Sequence, residues 1–134
     1  MNHGTSLVSM RLITEDVDRL TSFYERLTGL TADRLSPEFA EVRTPNGTLA
    51  IGSTRTVQLF APGSAAPASN RTAIVEFRVE DVDTVHAGLD DTVEVVTPPT
   101  TMPWGNRSLL VRDPDGTLVN VFTPVSPEAI AKLA

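Results

Sequence analysis

Two stretches of alternating apolar and polar residues set the rhythm of this chain. Val8, Met10 and Leu12 alternate with Ser9, Arg11 and Ile13, and Val75, Phe77 and Val79 alternate with Ile74, Glu76 and Arg78. A period of two is that of a strand with one buried face. Each stretch then passes into helical spacing. Val17, Leu20, Tyr24 and Leu27 form one stripe with Phe23 beside it, and Val82, Val85 and Leu89 form a second. Asp16 and Asp81 precede these stripes and can accept from the free N–H groups of a first helical turn. Gly29 is placed to end the first helix, and Gly88 weakens the second. As stripe residues, Phe23 and Tyr24 are expected in the core.

The same order of events occurs twice. Glu15–Asp18 returns as Glu80–Asp83, and Val42-Arg43-Thr44-Pro45-Asn46-Gly47-Thr48-Leu49 returns as Val111-Arg112-Asp113-Pro114-Asp115-Gly116-Thr117-Leu118. Matches in one order and at nearly one offset predict two similar halves of roughly 65 residues. Asp113-Pro114-Asp115-Gly116 has the favoured residues of a type I turn, and Thr44–Gly47 is expected to turn the same way. Strands flank both turns: Phe39–Arg43 and Thr48–Ile51, then Leu109–Val111 and Leu118–Phe122. Two further strands are expected near Leu30–Leu35 and Val93–Thr97, so each half reads β-α-β-β-β. Thr54–Phe60 is open between a short helix and an added strand. Pro98, Pro99 and Pro103 predict a stiff loop carrying Met102 and Trp104.

This pattern predicts an α+β fold, mostly antiparallel, in one domain: a first module over about residues 7–60, a linker over 61–70 and a second module over about 71–124. Ser126-Pro127-Glu128 starts a short terminal helix over about 126–133, with Pro in its first turn.

Composition narrows the chemistry. With 40% hydrophobic and 21% charged residues, the 134-residue chain reads as a globular protein. The formal net charge is -6, from 17 acidic and 11 basic residues. That balance argues against a nucleic-acid partner, whose phosphates need a basic patch, and would suit a cationic small molecule. The absence of cysteine excludes disulfides, thiolate chemistry and cysteine-ligated metal. A site built on two histidines would need both His3 and His86. No apolar run approaches the roughly 18 residues of a membrane span, and Met1–Ser6 lacks the parts of a signal peptide. A cytoplasmic location is therefore expected.

Several of these words resemble those of the vicinal oxygen chelate superfamily, the glyoxalase, bleomycin-resistance and extradiol-dioxygenase group. The carrying residues are Asp16-Val17-Asp18 with Phe23-Tyr24 and Leu27-Thr28-Gly29-Leu30, then Val79–Asp83. Pro103-Trp104-Gly105 followed by Arg112–Leu118 is the strongest string. The resemblance covers about residues 7–124. It implies a cupped sheet from each module around a cavity, and a homodimer. Metal-using members place one ligand on the first and one on the last strand of each module. The resemblance carries these positions to Ser9 and Ile74, each seven residues before a capping Asp, and to Ile51 and Asn120 after the turn glycines. Gln58 substitutes for Ile51 if Thr54–Phe60 is an edge strand. None of these is His, Glu or Asp, so no metal and no cofactor is expected. His3 falls too early, and His86 lies on the second helix.

Alternation places Ser9, Arg11, Ile13, Ile74, Glu76 and Arg78 on the cup face, with Leu49, Ile51, Leu118, Asn120 and Phe122 from the last strands. Arg11 and Glu76 occupy equivalent positions and can form an ion pair. Alternatively, Arg11 and Arg78 hold an acidic or carbonyl group of a ligand while Glu76 takes a donor. Trp104 can stack on a planar ligand or plug the barrel end, and Met102 can adapt to a ligand or fill the same gap. Glu76 is the one candidate base, if burial raises its pKa. The expected function is metal-independent binding of a small molecule, with antibiotic sequestration among the possibilities. The ligand set is Ser9, Arg11, Glu76, Arg78, Met102, Trp104, Asn120 and Phe122. The alternative is a lyase, isomerase or dioxygenase with a non-standard metal site.

Overall fold

The computed structural model describes residues 4–133. The chain divides into two units, Met1–Ser69 and Asn70–Ala134. The first contains β1 (Ser9–Thr14), α1 (Val17–Thr28), β2 (Asp33–Ser36), β3 (Phe39–Thr44), β4 (Gly47–Ser53) and α2 (Thr54–Gln58). The second contains β5 (Val75–Arg78), α3 (Val82–Ala87), β6 (Glu94–Thr101), β7 (Asn106–Arg112), β8 (Leu118–Pro124) and α4 (Pro127–Lys132). Each holds one four-stranded mixed sheet, ordered β1-β4-β3-β2 and β5-β8-β7-β6. The first and last strands of each unit pair in parallel, and the other pairs are antiparallel. The α+β class and the two tandem modules are therefore those expected. No helix among the described residues is long and apolar enough to cross a membrane.

In the first module α1 packs on β3 and β4. The Asp16 carboxylate accepts from the Arg19 N–H at 3.0 Å, and the Gly29 N–H closes the helix on the Glu25 carbonyl at 2.8 Å. The helix buries Leu20, Phe23, Tyr24 and Leu27, and Leu12, Val42, Leu49 and Ile51 of the sheet are buried as well. Burying side chains of this size contributes about 1.5–3 kcal/mol each. Phe23 and Tyr24 meet edge to face, centroids 5.1 Å apart, as core residues. The core of the second module is smaller. Its buried apolar side chains include Val75, Val82, Leu109, Val111, Val119 and Val121. Here α3 stops after Ala87, capped at Gly88, so Leu89 falls outside the helix that its spacing predicts.

Three other expectations change. Thr54–Phe60 is not an edge strand: Thr54–Gln58 is helical, started by the Ser53 hydroxyl, which accepts from Arg55 N–H at 3.2 Å. Gln58 is exposed on that helix and is no substitute for a strand position. Pro98 and Pro99 belong to β6, whose register against β7 shifts around them. An edge strand with irregular pairing tolerates prolines because the missing N–H groups have no obligatory partner.

The third change concerns the two similar turns. In the first module Thr44 pairs with Gly47, leaving Pro45 and Asn46 as a two-residue turn. In the second, Arg112 pairs with Leu118 around a longer loop. Buried Asp113 organises that loop, its carboxylate accepting from the N–H of Asp115 at 2.8 Å and of Thr117 at 3.0 Å. Gly116 then takes the left-handed conformation (φ 87°) that a three-residue hairpin loop demands. One additional residue after matching sequence reverses which face each later side chain takes. Leu49 and Ile51 therefore lie opposite Val42 and Ala40 under α1, and Ile51 is 0% exposed. They do not face the open side of the sheet. Ala50 and Gly52 do, and Ala50, paired with Arg11, is the counterpart of Asn120, paired with Glu76.

Candidate functional site

On the first module's open face, Ser9 and Arg11 of β1 are both exposed. β4 contributes only Thr48, Ala50 and Gly52 beside them, so the floor is shallow. A side chain at Gly52 would come within 2.7 Å of the Thr56 hydroxyl and 3.4 Å of Arg11 Cδ. The tight approach is that of the Thr56 hydroxyl, whereas Arg11 Cδ would be at ordinary contact distance. The Arg11 guanidinium sits 4.8 Å from the centre of the Phe60 ring, a cation–π contact. Further along, the Arg43 guanidinium pairs with Glu41 at 2.7 Å and Asp33 at 3.1 Å, and the Glu41 hydrogen bond first, then the two charges, raise its pKa.

The second module brings four of the predicted residues onto one open face. Glu76 lies beside Asn120 and Arg78 beside Phe122 across the parallel β5–β8 pair. Asn120 Nδ2 donates to Glu76 Oε2 at 2.9 Å. Glu76 is exposed, so the burial on which a role as base depends is missing. Arg78 donates from Nη1 to the Leu133 carbonyl at 2.9 Å, just past the end of α4. Ile74 precedes β5 and is 49% exposed.

Met102 and Trp104 sit in the short connection between β6 and β7. The Met102 N–H donates to the Asn106 carbonyl at 2.7 Å, and the Gly105 N–H donates to that of Met102 at 2.9 Å. Met102 is half-buried, whereas Trp104 is 67% exposed. Gly105, at φ 96°, passes so close to the start of α4 that an added Cβ would overlap Ser126. Its carbonyl accepts from the N–H groups of Val125 and Ser126. The turn that carries Trp104 is thus anchored from behind.

Could these faces hold the divalent metal of the resembled family? The four relevant positions are Ser9, Ala50, Ile74 and Asn120. They offer a hydroxyl, a methyl, a branched alkyl group and an amide, whereas such ions take imidazole or carboxylate. Among the described residues no three His, Cys, Asp or Glu side chains are grouped to hold a metal. His86 stands in the last turn of α3, and His3 lies outside the described residues. The donor set does not fit the metal.

Sequence reasoning missed Ala50, Gly52 and Phe60. The turn difference hid the first two, and the ambiguity of Thr54–Phe60 hid the third.

Solved structures share this fold. A glyoxalase/bleomycin resistance protein/dioxygenase from Nocardioides is 24% identical, with a TM-score of 0.71 over 92% of this chain and 85% of its own. A protein of unknown function from Agrobacterium tumefaciens str. C58 is 25% identical, with a TM-score of 0.78 over 90% of this chain and 95% of its own. A family enzyme from Burkholderia phytofirmans PsJN is 17% identical, with a TM-score of 0.75 over 90% and 100%. No curated protein matches. The model of the Glyoxalase/Bleomycin resistance protein/Dioxygenase superfamily matches residues 6–121, and the chain belongs to that superfamily.

Proposed function

We propose that this chain is a metal-independent member of its superfamily that binds a small organic molecule, antibiotic sequestration being one form of such binding. What supports the reading is the chemistry of Ser9, Ala50, Ile74 and Asn120, the positions to which the resemblance and the strand register carry the family's ligands: none has the imidazole or carboxylate that such a metal takes. The contact residues proposed are Ser9 and Arg11 on the first module and, separately, Glu76, Asn120, Phe122, Met102 and Trp104 on the second. Arg78 acts behind them by holding α4. A mix of apolar surface and few polar anchors is the usual make-up of such sites.

Calorimetric titration with zinc, nickel and ferrous ions tests the reading. The expected result is no stoichiometric uptake, together with thermal-shift hits in a small-molecule library that quench Trp104 fluorescence. A ligand at 100 times its dissociation constant stabilises by about 2.7 kcal/mol, a readable shift. One metal ion bound per chain with Glu76 or His86 as ligand would overturn the proposal in favour of a lyase, isomerase or dioxygenase.

A further inference from the structure

The two similar turns differ in reactivity as well as in length. Each contains a step into glycine, Asn46–Gly47 in one and Asp115–Gly116 in the other. An Asn–Gly step carries a reaction of its own. The glycine nitrogen can attack the asparagine Cγ and close a five-membered succinimide. A new N–C bond forms, the bond from Cγ to the side-chain nitrogen breaks, and the glycine proton leaves with that nitrogen as ammonia. Water then opens the ring at either carbonyl, leaving aspartate or isoaspartate. One water is consumed and one ammonia released, with no other reactant. Glycine permits the attack because it has no Cβ to crowd the approach.

The structure leaves Asn46 open to this chemistry. Asn46 is exposed, and its side chain is bonded to no other described residue. A Cβ built on Gly47 would meet nothing within 4 Å, so the surroundings of its nitrogen are clear. The other asparagines among the described residues each precede a residue with a side chain. Asn70 is also held by its own loop, accepting from the Ala73 N–H at 3.0 Å and donating to the Ala73 carbonyl at 2.9 Å. Asn106 and Asn120 lie in the paired strands β7 and β8. Asp115–Gly116 is locked. The Gly116 N–H donates to the Asp113 carbonyl at 2.9 Å, the Asp115 N–H donates to the Asp113 carboxylate at 2.8 Å, and Asp115 Oδ2 is buried.

One group restrains Asn46. The Thr44 hydroxyl accepts from the Gly47 N–H at 3.2 Å and donates to the Gly47 carbonyl. While this clasp is closed, the attacking nitrogen is held away from Asn46 Cγ. At 3.2 Å the bond is at the long end of its range, and a hairpin end opens by local fraying.

We infer that Asn46 is a self-modification site, converted to aspartate and isoaspartate through a succinimide with Gly47, and that the Thr44 hydroxyl sets the rate. The product adds a negative charge to the turn. Isoaspartate also lengthens the main chain by one methylene, in a turn that closes in two residues. The inference stands independently of the small-molecule reading.

Peptide mapping of the full chain by mass spectrometry, after incubation in mildly alkaline buffer, tests it. Aspartate and isoaspartate should accumulate at Asn46, with Asn70, Asn106 and Asn120 unchanged. Thr44→Val keeps the side-chain shape and removes the hydroxyl, and should speed the conversion several-fold at Asn46 alone. That confinement separates a lost clasp from general unfolding. Gly47→Ala should slow the conversion at least tenfold. Asp115→Asn puts the same dipeptide into the locked loop and should convert there at least tenfold more slowly than Asn46 does. Equal rates in the two loops would mean that structure has no part in the reaction, and would overturn the inference. So would an unchanged rate in Thr44→Val, or conversion that spreads evenly over all four asparagines.

Discussion

Arg107 reaches from β7 to Asp83 in the first turn of α3 and grips both carboxylate oxygens, Nε at 2.8 Å and Nη2 at 3.0 Å. The hydrogen bonds first, and the guanidinium charge with them, hold the Asp83 carboxyl below its ordinary range against the opposing effect of desolvation. His86, one turn along, adds a smaller push in the same direction. A depressed carboxylate pKa contributes stability above the ordinary carboxylate range. That contribution disappears as the pH falls through the lowered value. Arg107→Ala should accordingly move the Asp83 titration upward, toward its ordinary range, in a carboxyl NMR titration. An unmoved titration would deny the pair its role. Because the pair is solvated, the change in stability at neutral pH should be small. Arg78 is a comparable case of a long side chain whose partner no periodicity could foretell. Its strand and face follow from alternation, but the Leu133 carbonyl that it meets is 55 residues away in sequence.

The β4 and β8 strands make the same point for whole elements. Their positions and their apolar content follow from the repeat and from strand alternation. Their faces do not, because face depends on the turn before each strand. Pro45-Asn46 and the Pro114–Gly116 loop, which the Asp113 N–H closes on the Thr117 carbonyl, look alike as sequence yet differ by one residue in length. The decisive groups are the Asp113 carboxylate and left-handed Gly116. Thr44 stands where Asp113 does, and its hydroxyl accepts from the Gly47 N–H at 3.2 Å and donates to the Gly47 carbonyl, closing the shorter turn. Ile51→Ala should therefore behave as a core truncation, costing about 2–5 kcal/mol in urea unfolding with ligand affinity unchanged. A substitution that left stability alone but altered binding would return Ile51 to the open face. The α2 segment was ambiguous for another reason: five helical residues are too few for periodicity to register.

At the scale of the whole molecule, each unit has its own buried centre on paired inner strands: Val42 and Ile51 in one, Val111, Val119 and Val121 in the other. Outer strands and short helices are less supported. Every residue of β2 is exposed, and α3 buries only Val82. Hydrogen exchange followed by NMR should show the slowest amides in β3, β4, β7 and β8, and faster exchange in β2 and α3. Uniform protection across all twelve elements would contradict this division. The turn difference has a practical meaning for anyone recombining the two modules. It acts as a frameshift in three dimensions, with the message intact and every second letter read by the wrong partner. If Leu118–Pro124 were transplanted behind Pro45-Asn46 by matching sequence, Asn120 would land in the place of Ile51, its amide sealed beneath α1. A working chimera must carry Asp113–Gly116 along with the strand.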